Sequence, residues 1–145
     1  MRWQHSRNRP ARKGIVLFAP GLIFADDDNA APDVIWLPWE RLRAVEGEDG
    51  KLHGPPELVV EVLSPGAVNE QRDRDIKLRL YSRRGVDEYW ILDARQRRAE
   101  IFRRDAADPG VLHLAAALGE DDALESPLLP GFQIHAGNLF FVNQP

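Results

Sequence analysis

Pro56-Glu57-Leu58-Val59-Val60-Glu61-Val62-Leu63-Ser64-Pro65 decides how this chain is read. Leu58 to Leu63 is almost wholly valine and leucine, which predicts a strand buried on both faces. Ser64-Pro65-Gly66 ends it. Within that strand stands Glu61. A carboxylate in a buried strand is costly unless a charge or a cation pairs with it. Side chains alternate along a strand, so Glu57, Val59 and Glu61 share one face. Two readings of Glu61 stand side by side: a structural ion pair with a nearby arginine, or a metal ligand.

Downstream, a helix is expected from about Asn69 or Asp73 to Arg84, stopped by Gly85. At about 100° per residue with Ile76 as origin, Leu80 falls near 40°, Tyr81 near 140°, Leu78 near 200° and Lys77 near 100°. Lys77 therefore points toward the body of the protein. Either its stem packs while its ammonium escapes to water, or it pairs with Glu61 and with developing negative charge. Tyr89 to Leu92 and Ala99 to Arg103 read as strands joined in a hairpin by Arg95 to Arg98, and Val111 to Ala115 as a weaker strand. Leu128 to Phe141 holds the turn Pro130-Gly131 and apolar closing segments.

Upstream of the central strand, Glu40 to Pro56 is polar and reads as a loop, and Asp26 to Asn29 as an acidic loop. Gly14 to Phe18 and Leu22 to Phe24 are apolar runs split by Pro20-Gly21. Residues 1–13 form a basic arm, and residues 14–145 the domain proper. Val34 to Leu37 is a strand with Asp33 at its mouth. Alone, an aspartate there is a turn or cap residue. On a strand beside the Glu61 strand it becomes a second oxygen ligand for Mg²⁺.

The bulk composition narrows the chemistry. The chain has 145 residues, 43% of them hydrophobic and 29% charged, which is one globular domain with one core. It has no cysteine, so disulfides, thiolate zinc sites and cysteine nucleophiles are excluded, and a cytoplasmic setting is expected. No apolar run approaches the roughly 20 residues of a membrane span. The net charge of −4 hides an asymmetry: Gln71 to Arg104 holds 11 basic and 6 acidic residues. A basic segment in an acidic chain fits either a polyanion-binding site or a solvated arginine-rich helix. His5, His53, His113 and His135 have no ligand spacing, and neither a Gly-rich phosphate loop nor a Gly-x-Ser-x-Gly elbow is present. Asp33, Glu61 and Lys77 make one sensible set for phosphodiester hydrolysis, with carboxylates for a cation and a lysine for charge.

The ordered series Pro56 to Pro65, Asp73-Arg74-x-x-Lys77, Leu80-Tyr81 and Gly85-Val86-x-Glu88-Tyr89-Trp90-Ile91-Leu92-Asp93 resembles the Uma-type restriction endonuclease family, a branch of the PD-(D/E)XK nuclease superfamily. Pro32-Asp33-Val34 and Leu129-Pro130-Gly131-Phe132 resemble it too, so the likeness runs from about Gly14 to Phe141. The resemblance implies an α/β, restriction-endonuclease-like mixed β-sheet flanked by helices, with the metal site at one sheet edge. It implies catalytic roles for Asp33, Glu61 and Lys77, with Asp33 and Glu61 on Mg²⁺ or Mn²⁺. The superfamily lysine ordinarily lies two residues after the acid, where this chain has Leu63, and Lys77 of the following helix would supply it. Glu57 stands where the family usually has aspartate. The family's first helix is expected to be truncated or absent here, leaving an exposed sheet face or a place for a partner chain.

The function implied is metal-dependent DNA cleavage. Arg72, Arg74 and Arg84 are candidate nucleic-acid contacts, DNA is the expected partner, and a homodimer is an open expectation. The alternative is an inactive nucleic-acid-binding or protein-interaction module on the same fold.

Overall fold

The computed structural model describes residues 12–63 and 70–140. Its centre is a six-stranded sheet in the order β1-β4-β5-β6-β7-β8. The strands are β1 (Gly14–Phe18), β4 (Val34–Pro38), β5 (Leu58–Val62), β6 (Glu88–Asp93), β7 (Arg98–Asp105) and β8 (Asp108–Leu118). Only β5 and β6 run parallel. Parallel neighbours need a crossover. That crossover contains helix α2 (Glu70–Arg84), which Gly85 ends at φ +88°, a left-handed conformation that favours glycine. Helix α1 (Trp39–Val45) follows β4 directly. Short hairpins β2 (Leu22–Ala25) with β3 (Asp28–Ala30), and β9 (Ala123–Glu125) with β10 (Gln133–His135), complete the described chain with a 3₁₀ turn at Ala136–Phe140. No helix among the described residues is long and apolar enough to cross a membrane.

Alternation along the strands gives the sheet two buried faces. On one, Ile35, Leu37, Val59, Tyr89, Ile91 and Phe102 pack against Leu80 and Tyr81 of α2. On the other, Trp36, Leu58, Val60, Trp90 and Ile101 pack against Leu124 of the C-terminal hairpin. The central strand is thus buried on both sides, as its valine-rich run predicts. Toward β1 the second face thins out, and Val16, Phe18 and Val62 are exposed, Phe18 by 77%.

Three segments depart from the sequence reading. The segment from Glu40 to Pro56, expected as a polar loop, begins within helix α1, which occupies residues 39–45. Leu42 and Val45, three residues apart, turn its apolar side to the core. The strand expected at Val111 to Ala115 runs from Asp108 to Leu118, because its backbone pairs with β7 well beyond its apolar core. Only Leu112 in β8 is buried, so hydrophobicity understates its length. The acidic loop at 26–29 is the turn and start of the β2–β3 hairpin. Most of the arm, residues 1–11, and with it the question of a leading helix, lies outside the described residues.

Candidate active site

The antiparallel register of β4 on β5 sets Val34 opposite Val60. One step further, Asp33 lies opposite Glu61, on the face covered by α2. Each carboxylate is held by the other strand's backbone. Asp33 N–H donates to Glu61 Oε1 at 3.2 Å, and Val62 N–H donates to Asp33 Oδ2 at 2.7 Å. Lys77, from the inward side of α2, donates to Glu61 Oε2. The three candidate residues are therefore contiguous: Asp33 exposed, Glu61 5% exposed, and Lys77 with 45% of its side chain open to solvent.

Burial pushes the Glu61 carboxyl above its ordinary range. The Lys77 ammonium pulls it back in part, and the neighbouring Asp33 charge adds to the rise. The floor beneath it is aromatic. Tyr81 of α2 and Tyr89 of β6 meet edge to face with centroids 5.0 Å apart, and both are buried. Burial also raises both phenols, with the Glu61 charge the next cause for each, which places the ring pair in the field of the acid. The Tyr81 hydroxyl is buried without a hydrogen-bond partner among the described residues. In the sequence Tyr81 marks the apolar arc and the Leu80-Tyr81 pair of the resemblance, and neither points to this floor.

Glu57 has a different role. It shares the face of Glu61 but sits roughly 13 Å along the strand, at about 3.3 Å per residue. There Arg41 and Arg12 approach it at 3.4 and 3.5 Å, tying α1 and the segment before β1 to the sheet. Burial raises its carboxyl too. The arginines proposed as nucleic-acid contacts divide. Arg72 is exposed, Arg74 is paired with Glu100, and Arg84 is bonded to Asp28 at 2.6 Å. Two of the three thus already carry partners inside the chain.

Among the described residues no cluster of three or more His, Cys, Asp or Glu side chains could hold a metal ion. The site offers two adjacent carboxylates, and Asp33 Oδ1 makes no hydrogen bond there. Hard, all-oxygen donors of that number suit Mg²⁺, which commonly binds through one or two carboxylates and keeps several waters or substrate oxygens. The donor set fits such an ion. A thiolate or imidazole metal has no matching ligands here.

Comparison with known proteins bears on the same region. Curated proteins give no match. Among solved structures, a crystal structure of a putative nuclease belonging to DUF820 from Anabaena variabilis superposes with a TM-score of 0.69 at 18% identity, covering 96% of this chain and 74% of that one. That likeness shows a shared nuclease-like fold. The family model Uma2, described as putative restriction endonuclease, matches residues 1–137, which include β4, β5 and α2 with Asp33, Glu61 and Lys77. With a match over nearly its whole length, the chain belongs to the Uma2 family of putative restriction endonucleases.

Proposed function

We propose that the chain is a divalent-metal-dependent DNA endonuclease, with Asp33 and Glu61 as ligands of Mg²⁺ or Mn²⁺ and Lys77 as the residue that stabilises developing negative charge. The observation that carries this reading is the cross-strand placement of two carboxylates on the helix-covered face, with a lysine from that helix on the more buried acid. When bound, such an ion supplies Lewis acidity toward a phosphate oxygen and lowers the pKa of water. Asp33, the more open acid, presents an unbonded oxygen toward solvent. Glu61 is fixed by Asp33 N–H and by Lys77, so its carboxylate is held in one orientation before any ligand arrives. Lys77 is exposed enough to turn from Glu61 toward a phosphate or a water. Its ammonium can neutralise negative charge as the phosphodiester bond breaks. A DNA substrate and a cytoplasmic setting belong to the same proposal and are supported by the family and by the cysteine-free composition.

The test is nicking or linearisation of supercoiled DNA by purified protein. Cleavage is expected with Mg²⁺ or Mn²⁺ and none with chelator. Binding without cleavage under every divalent metal would instead support an inactive nucleic-acid-binding module.

Metal binding should also depend on pH. Glu61 must be ionised to bind a cation, and its carboxyl is raised by burial. In the metal-free protein a raised acid stabilises the fold below its unfolded value of about 4.5 and loses that contribution as pH rises through the folded pKa. Added metal offsets this loss, because a ligand of the folded state alone stabilises it by roughly 2.7 kcal/mol at about 100 times its Kd. The metal-induced rise in melting temperature should therefore be full at pH 8. It should begin to shrink, as pH falls, above the ordinary glutamate range. Melts with and without Mg²⁺ from pH 5 to 8 measure this, and a metal shift unchanged across that range would count against Glu61 as a ligand.

A further inference from the structure

A cavity of about 230 Å³ opens beside the acids on the same face of the sheet. It lies between the N-terminal half of α2 and the end of the β6–β7 hairpin, lined by Arg74, Ile91, Asp93, Gln96, Arg98 and Glu100. Register places it in line with the site, since Glu61 pairs with Ile91 and Ile91 with Glu100. Two strand spacings, roughly 10 Å in all, separate Glu61 from Glu100. Resting on the nuclease reading above, we infer that this cavity is a subsite for a flanking phosphate of the same DNA strand, with Arg98 as its principal anion-binding residue.

The uncommitted groups decide the ligand. The lining carries two acids and two arginines, so charge alone says little. Glu100 is already neutralised by Arg74. Asp93 Oδ1 accepts the N–H groups of Arg95 and Gln96 at 3.0 and 3.1 Å, which caps the hairpin turn. What is left is rich in donors. Arg98 pairs with no acid among the described residues, although its cross-strand partner is Asp93. The exposed Gln96 side-chain amide likewise makes no hydrogen bond among the described residues. A guanidinium fork beside a side-chain amide suits a ligand made of acceptors, and phosphate oxygens are the commonest such groups on DNA. Arg74 also stands one helical turn before Lys77 on α2, which links the subsite to the reaction centre through one rigid element.

The experiment measures binding of a short duplex across a range of salt, with chelator present so that no strand is cut. Arg98→Gln, an exposed substitution, is compared with wild type, and circular dichroism checks the fold. The expected result is severalfold weaker binding at low salt and a salt slope smaller by about 1, the signature of one lost phosphate contact. A neutral methylphosphonate is then moved along the strand. At one position it should weaken wild type and leave Arg98→Gln unchanged. Wild-type binding with an Arg98→Gln slope equal to its own would overturn the subsite and leave the nuclease reading standing. An abasic nucleotide that erases the difference, where no methylphosphonate does, would also overturn it, in favour of base reading. Failure of wild type to bind DNA at any salt would overturn this inference, while the nuclease reading stands or falls separately on cleavage with Mg²⁺ or Mn²⁺.

Discussion

Glu61→Gln protein should melt close to wild type and cleave DNA at least about a hundredfold more slowly. Glutamine keeps the shape and can still accept from Asp33 N–H, so the β4–β5 contact survives. It loses the negative charge that would hold a cation and pair with Lys77. With 45% of its side chain open, Lys77 can hydrate its ammonium, which keeps the cost to the fold small. The chemical cost is large. Lewis-acid stabilisation of a phosphoryl transition state is worth several kcal/mol, and about 1.4 kcal/mol is one decade in rate. Asp33→Asn should behave alike, because asparagine can still accept from Val62 N–H while donating no charge. Lys77→Ala should also lose about two orders of magnitude, the usual loss when one group that stabilises developing charge is removed. Plasmid cleavage and thermal melts on the same preparations separate chemistry from folding. Cleavage at the wild-type rate by all three variants would mean that the activity comes from elsewhere in the preparation or the chain.

The central strand was legible because its signal is strong and local. Five apolar residues with one acid among them admit few structures, and β5 lies where they are. Helix α2 was legible from Tyr81, Leu80 and the glycine stop, and the inward angle of Lys77 followed from periodicity alone. Pairing of Asp33 with Glu61 came only as an implication of the family resemblance, not from the residues themselves. Nothing in the sequence gives the β4–β5 register, which depends on how two distant strands meet. Arg74, a candidate nucleic-acid contact by sequence, lies near 160° on the same helical wheel as Lys77, within the apolar arc. That angle was available, and it foretells the inward position from which Arg74 meets Glu100. Helix α1 was hidden by its length. Seven residues with two apolar contacts carry too little periodicity to outweigh the charged residues around them. The aromatic floor required the third dimension, since Tyr81 and Tyr89 meet only when the crossover folds α2 back over β6.

Glu88→Ala should strongly destabilise the face opposite the site. Glu88 is 2% exposed and is bonded on both oxygens. Trp90 Nε1 donates to Oε1 at 2.7 Å, Ser126 Oγ donates to Oε2 at 2.9 Å, and Arg103 Nε lies 3.2 Å from Oε1. Ser126 in turn accepts from Leu128 N–H at 3.1 Å. The carboxylate thus joins β6, β7 and the C-terminal segment that carries Leu124 over the second core. Alanine would leave the Trp90 and Ser126 donors buried without an acceptor, at about 1–3 kcal/mol each. Arg103 Nε, itself shut off from solvent, would also lose the charge it approaches, although the rest of its side chain reaches water. A loss of about 3 kcal/mol corresponds to roughly 6–12 °C in melting temperature for a domain near this size. Glu88→Gln keeps an acceptor for Trp90, and its amide can donate to the Ser126 hydroxyl, so it should lose less than half as much. Both variants keep Asp33, Glu61 and Lys77, and well below their melting temperatures they should retain the wild-type cleavage rate. An alanine variant melting within about 2 °C of wild type would mean that the C-terminal segment is held by apolar packing alone. A glutamine variant as damaged as alanine would assign the stability to the negative charge rather than to its hydrogen-bond acceptors.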